Sequence, residues 1–146
     1  MATEEIINRV ANSKLVTFNL EDYYPKGQRV TFDISSWLLE GFVLRESAFR
    51  EEAKNYDWSQ YQDCYVALYC STEAIIPAWA YMLIATYLQP YAKKTVNGSL
   101  EDLESILYTE VIQQMDLSAL ADKPVIIKGC ANKPVPKNAY LLLINK

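Results

Sequence analysis

The chain has 146 residues, 51% of them apolar, with a formal net charge of −4 and no histidine. This length and composition indicate one globular domain, residues 1–146, with room for a substantial core. The acidic balance argues against nucleic acid as a partner, because phosphate binding needs a basic face. The lack of histidine excludes Ser-His-Asp and Cys-His nucleophiles and every zinc site that contains histidine.

The first predicted elements are a short amphipathic helix at residues 4–12 and two strands at residues 15–20 and 29–34. The loop between the strands contains Pro25 and Gly27, which are typical of a turn. We therefore expect an N-terminal antiparallel hairpin at the edge of the sheet.

Two short helices are expected next. Asp33 or Ser35 can cap a helical turn that ends at Gly41, and Ser47 can cap a helix at residues 48–55. Residues 42–44 form a short apolar link between these two helices.

The centre of the chain is the stretch of residues 63–93. Residues 65–69 are apolar on both faces, which is typical of a strand covered on both sides. After a short polar break, Pro77 marks the first turn of a helix at residues 78–89 that is apolar nearly all round. We expect this helix to be the most buried one.

The last third of the chain alternates strands at residues 95–96 and 125–128 with helices at residues 100–115 and 137–144. Three successive strand–helix units predict a parallel arrangement. The expected fold class is α/β, with a mixed, mainly parallel sheet, helices on both faces and the N-terminal antiparallel hairpin.

The three cysteines, Cys64, Cys70 and Cys130, are an odd number without the spacing of a disulfide scaffold. The first residues are acidic and show no export signal, so we expect a cytoplasmic protein with reduced thiols. No membrane association is expected. The uncharged stretch between Glu73 and Lys93 is interrupted by prolines and too short for the ~20 helical residues that a bilayer needs.

Two loops have a similar pattern, residues 70–77 and 129–136. In each, a cysteine follows a predicted strand and a proline begins the next helix. The carboxyl ends of parallel strands share one edge of a sheet, so Cys70 and Cys130 would come close if their strands are neighbours. Such a thiol pair could bind a soft metal, iron or zinc, or exchange thiols. The alternative is that both cysteines are small buried apolar residues.

Other candidate site residues lie in the same loops. Lys128, Asn132 and Lys133 could form an anion site with a helix N-terminus, or be solvated loop residues. Glu73 could be a general base or a metal ligand, or a carboxylate favoured by the helix dipole.

Three stretches of the chain carry a resemblance to a known family: RVTFDISSWL, YDWSQYQDCYVALYCSTEAIIPAWAYMLIATYLQPYAKK and IIKGCANKPVPKNAY. Over nearly its whole length the chain resembles a bacterial family found in Bacteroidetes and catalogued as domain of unknown function 2480. The resemblance implies that Cys70 and Cys130 occupy motif positions, and that family members carry a further cysteine in a tail beyond Lys146. It also implies an association with iron–sulfur cluster assembly, but no activity.

Three functions remain open. The first is a non-catalytic accessory or binding protein that uses the thiol-containing loops and is linked to iron–sulfur assembly, with iron or zinc as its cofactor. The second is a small enzyme that acts on an anionic metabolite through Glu73 and Lys128. The third is an interaction module whose aromatic surface binds a protein partner or a second copy of the chain as a homodimer.

Overall fold

The computed structural model describes residues 15–120, 123–129 and 133–145. The helix expected at residues 4–12 lies outside them. The chain divides into two compact units, a continuous unit, Lys26–Leu103, and a terminal unit that combines Met1–Pro25 with Glu104–Lys146.

The described residues form five strands and four α-helices. The strands are β1 (Val16–Asn19), β2 (Arg29–Asp33), β3 (Tyr65–Tyr69), β4 (Lys94–Asn97) and β5 (Val125–Lys128). The helices are α1 (Glu46–Asn55), α2 (Ala78–Leu88), α3 (Leu100–Gln114) and α4 (Lys137–Ile144). None of the described helices is long and apolar enough to cross a membrane.

The continuous unit is built on a three-stranded parallel sheet in the order β2-β3-β4. The register places Asp33, the last residue of β2, opposite Tyr69, the last residue of β3. The carboxyl ends of these two strands therefore lie side by side. The predicted α/β class and the mainly parallel pairing are confirmed.

Helices α1 and α2 pack on the same face of this sheet. Phe49 of α1 and Ile84 of α2 share one core cluster with Val66 of β3. Parallel strands need crossover connections, which are almost always right-handed. The connections β2–α1–β3 and β3–α2–β4 both move to the next strand in the same direction, so their helices lie on the same face of the sheet. The opposite face of the sheet is also buried, at Ala67 and its partner Val96, as the apolar sequence of β3 predicts.

The expectation that α2 is the most buried helix is wrong. Every fourth residue is fully buried, at Ala80, Ile84 and Leu88, but Met82 is 67% exposed. The sequence of α2 is apolar on every side, so its periodicity does not distinguish the solvent face from the core face. More residues are buried in α3 than in any other described helix: Leu103, Glu104, Leu107, Tyr108 and Ile112.

The terminal unit contains a two-stranded parallel sheet in which β1 pairs with β5. The predicted N-terminal hairpin is therefore wrong, because β1 pairs with β5 and β2 pairs with β3, both in parallel. Directly after β1 the chain enters a 3-10 turn, Leu20–Tyr23, capped by the Asn19 side chain, which accepts a hydrogen bond from the Glu21 N–H at 3.0 Å. This turn ends the strand and buries Leu20 in the core of the terminal unit.

Helix α3 contributes the largest buried side chain of this second core, Tyr108. Its hydroxyl donates a hydrogen bond to the Leu20 carbonyl at 2.9 Å. The other buried members of the core are Phe18, Ile112, Val135, Ala139 and Leu143.

Candidate functional site

A single carboxylate, Asp33, links the adjacent ends of β2 and β3. Its Oδ1 accepts hydrogen bonds from the Ser35 N–H at 2.9 Å and the Ser71 N–H at 3.0 Å. Partial burial raises the pKa of Asp33, but the hydrogen bonds from Ser71 and Ser35 outweigh burial and lower the pKa to about 2. The carboxylate therefore stays ionised at neutral pH and ties the loop of residues 70–77 to the neighbouring strand.

The predicted site residue Cys70 follows β3 directly and is half-buried. Its Sγ lies 3.2 Å from the Oγ1 of Thr72, and the Thr72 hydroxyl donates a hydrogen bond to the Gly41 carbonyl. Because a hydroxyl has one proton to donate, the thiol is the donor to Thr72. Cys70 thus begins a hydrogen-bond chain that reaches the loop of residues 39–43.

Tyr81 of α2 is a second titratable group beside this thiol. Burial, and after it the proximity of Cys70, raises the pKa of Tyr81. The phenol therefore remains protonated at neutral pH and can act as a hydrogen-bond donor.

The loop of residues 39–43 is a tight return held by an antiparallel bridge. The Leu39 N–H bonds to the Val43 carbonyl at 2.8 Å, and the Val43 N–H bonds to the Leu39 carbonyl at 3.1 Å. Two residues at its tip are left-handed, Glu40 with φ 53° and Gly41 with φ 80°, a conformation that glycine adopts without steric cost. The loop exposes apolar side chains, since Phe42 is 60% and Val43 52% exposed.

A groove of about 530 Å³ lies beside this loop and the loop of residues 70–77. We call it the Phe42–Ile75 groove. Its lining is mainly apolar, and Ile75 is 92% exposed. The lining residues are Phe42, Val43, Leu44, Glu46, Glu73, Ala74, Ile75, Pro77 and Trp79.

Trp79 anchors the groove to the core of the continuous unit. Its ring packs edge-on against Phe49 with centroids 5.8 Å apart, and the Arg50 Cζ lies 4.8 Å from its centroid. Arg50 also pairs with Glu46, Nε to Oε1, at 3.1 Å. Glu46 is therefore balanced by a cation, whereas Glu73 has neither a hydrogen bond nor an ion pair among the described residues.

The second predicted loop belongs to the terminal unit, where Cys130 and Asn132 lie outside the described residues. Lys128, at the end of β5, is exposed. The Nζ of Lys133 lies 5.3 Å from the centroid of the Tyr24 ring, a cation–π contact that accounts for its position without an anion.

The proximity expected for Cys70 and Cys130 assumed that their strands are neighbours in one sheet. This assumption is wrong, because β3 and β5 belong to different sheets. Which strands lie side by side in a parallel sheet depends on pairing between segments far apart in the sequence. The similarity of the two loops does not reveal that pairing.

The described residues alone do not fit an iron or zinc site. Nowhere among them do three cysteine, aspartate or glutamate side chains gather closely enough to hold a metal ion. Cys64 is 5% exposed, and its Sγ lies 3.6 Å from the Gln62 carbonyl. Such burial is typical of a cysteine that packs as a small apolar residue.

Of the predicted site residues, Glu73 lines the groove and Cys70 begins the loop beside it, whereas the apolar walls were not predicted. In the sequence, residues 42–44 have the pattern of a short apolar link, and such a run does not show whether it is buried or exposed. The available signal was Glu40-Gly41, since a glycine next to a polar residue is typical of a turn. A second cavity of about 490 Å³ lies in the terminal unit beside Phe18, Met115 and Leu143. The four predicted site residues that the structure describes do not line it.

The fold and the groove define a small α/β protein with a half-buried thiol and an exposed apolar groove at the carboxyl edge of parallel strands. The chain belongs to the family described as protein of unknown function DUF2480, which matches residues 4–146. This match confirms the resemblance inferred from the motifs. Comparison with curated proteins and with solved structures found no match, so the functional argument rests on the groove itself.

Proposed function

We propose that the protein is a non-catalytic binding protein that holds a protein partner in the Phe42–Ile75 groove, beside the loop that begins at Cys70. The observation that carries this proposal is the exposure of large apolar side chains along one groove, at Phe42, Val43 and Ile75. Exposed apolar surface bordered by polar residues is typical of interaction sites.

The polar contacts behind the groove support a binding role. Asp33 fixes the start of one wall through the Ser71 N–H, and Thr72 fixes the other wall through the Gly41 carbonyl. Walls that are ordered before binding lose less conformational entropy when a partner arrives.

The charges of the groove favour this role over an enzyme for an anionic metabolite. Glu46 and Glu73 are its charged lining residues, and carboxylates repel an anion. Lys128, the cation that such an enzyme would use, is not among the residues that line this groove.

The link with iron–sulfur cluster assembly stays a prediction from the family resemblance. Iron, zinc and sulfide analysis of anaerobically purified protein tests it, with Cys70→Ser as the comparison. Stoichiometric metal that is lost in the variant would add metal binding to the role of Cys70. Metal that the variant retains would be held by other residues.

Site-specific photo-crosslinking tests the binding role in cells that carry the native gene. A photoreactive amino acid at Ile75 should capture a defined partner, whereas the same amino acid at Glu52, an exposed position of α1 outside the groove, should not. The captured partner is then purified, and its Kd is measured for the wild type and for Ile75→Asp. Equal capture at both positions, or an unchanged Kd, would refute binding at the groove.

A further inference from the structure

We infer that the occupant of the Phe42–Ile75 groove is a peptide segment of a partner protein that carries apolar side chains next to a lysine or arginine. This inference rests on the proposed function and names the chemistry of the partner. Its basis is the combination of exposed apolar walls with one unpaired carboxylate.

The shape of the groove favours a peptide over a small molecule. A pocket for a small ligand encloses about 70–90% of the ligand surface. Ile75 is 92% and Phe42 60% exposed, so these lining residues project outward instead of enclosing a cavity. Projecting apolar side chains are matched by a chain segment whose own side chains pack between them.

The charge of the groove specifies the polar part of the partner. Arg50 lies over Trp79 and pairs with Glu46, which balances that carboxylate. Glu73 lines the same groove with neither a hydrogen bond nor an ion pair among the described residues. A lysine or arginine of the partner would complement Glu73, and such complementarity sets specificity and orientation more than affinity.

The same charge argues against a second copy of the chain as the occupant. In a two-fold symmetric dimer the same surface patch faces itself. The unpaired Glu73 of one groove would then face a patch whose own unpaired charge is also Glu73, and like charges across an interface are unfavourable.

The experiment selects peptides from a random display library on the full-length protein, with counter-selection on Ile75→Asp. This substitution lies at a 92% exposed side chain, so it leaves the core intact. The selected peptides should share apolar residues and at least one lysine or arginine, and Ile75→Asp should weaken their binding by about tenfold or more.

A charge swap then tests the role of Glu73. Because an exposed ion pair is weak, Glu73→Lys should lower the affinity for the basic peptides by only about fivefold. A peptide whose basic residue is changed to glutamate should bind Glu73→Lys more tightly than the wild type. The matched control is Glu52→Lys, which makes the same change of charge at an exposed residue outside the groove.

The outcomes separate the inference from the proposed function. If no selected peptide prefers the wild type over Ile75→Asp, binding at the groove is refuted. If groove-binding peptides lack basic residues, or if Glu73→Lys behaves like Glu52→Lys, the basic partner is refuted while the binding role stands. A dimer in analytical ultracentrifugation that Ile75→Asp abolishes would identify a second copy as the occupant and overturn the inference.

Discussion

Replacing Asp33 with alanine should destabilise the continuous unit by about 2.5 kcal/mol at pH 7 and release the loop that carries Cys70. The carboxylate is the N-cap of the turn Ile34–Trp37 through the Ser35 N–H and also accepts from the Ser71 N–H. Loss of an N-cap costs about 1 kcal/mol. A hydrogen bond to a charged group contributes about 1.5 kcal/mol. Asp33→Asn keeps one acceptor oxygen, so it should lose about half as much.

The pKa of Asp33 gives a second route to this magnitude. A fall from 3.8 to about 2 on folding corresponds to about 2.4 kcal/mol of preference for the ionised form. Asp33 is only partly buried, and solvent screening reduces this figure to about 1–2 kcal/mol. The two routes therefore agree to within about 1 kcal/mol.

The direction of the pH dependence follows from the lowered pKa. The folded state holds the proton of Asp33 less tightly than the unfolded chain, so the stabilisation is fully present above the unfolded value of 3.8 and is lost as pH falls toward 2. By linkage about half of it should remain at pH 3. The difference in stability between wild type and Asp33→Asn should shrink accordingly.

Urea unfolding followed by tryptophan fluorescence measures this difference. All three tryptophans, Trp37, Trp58 and Trp79, belong to the continuous unit, so the signal reports the unit that contains Asp33. Glu52→Gln, at an exposed residue, is the matched control for the loss of one charge. A change below about 0.5 kcal/mol in Asp33→Ala, or a difference that stays constant from pH 7 to pH 3, would refute the reasoning.

Three further predictions concern single residues. Tyr108→Phe removes the 2.9 Å hydrogen bond to the Leu20 carbonyl and should lower the free energy of unfolding by about 1–3 kcal/mol. Urea unfolding followed by circular dichroism measures this loss, and an unchanged midpoint would contradict the prediction. Cys70 is half-buried and Cys64 is 5% exposed, so mass spectrometry should show faster alkylation of Cys70 at pH 7, whereas equal rates would count against this. Gly41→Ala should cost about 1–2 kcal/mol, because φ is 80°, where a Cβ is strained. The added Cβ itself has room, since its nearest neighbour is 3.5 Å away. No loss of stability in urea would show that alanine tolerates this conformation.

Local signals in the sequence predicted most elements. The strand at residues 65–69 and the helix at residues 137–144 match β3 and α4 residue for residue. Helix α3 begins with a capping box, since the Ser99 N–H donates to the Asp102 carboxylate at 2.9 Å and the Asp102 N–H donates to the Ser99 hydroxyl at 3.1 Å. These features depend on residues a few positions apart, which the sequence displays directly.

Strand pairing and the groove could not be predicted in the same way. Val16 pairs with Val125, and no local pattern distinguishes that partner from β2, which follows β1 along the chain. For the groove, the sequence indicated the polar and thiol groups near Cys70 because their chemistry is distinctive. The exposure of Phe42 and Ile75 is set by how two loops return from the sheet, and apolar residues in loops are indistinguishable by composition from buried ones.

The pairing of β1 with β5 also predicts a folding order. The terminal unit joins Met1–Pro25 to Glu104–Lys146, whereas the continuous unit, Lys26–Leu103, pairs strands that are closer in sequence. Closing a longer loop costs more entropy, and structures with distant contacts form more slowly. The amides of β3 should therefore become protected before those of β5 when refolding is followed by pulsed hydrogen exchange. Protection of β5 first, or of both strands at one rate, would show that contact separation does not control the order in this chain.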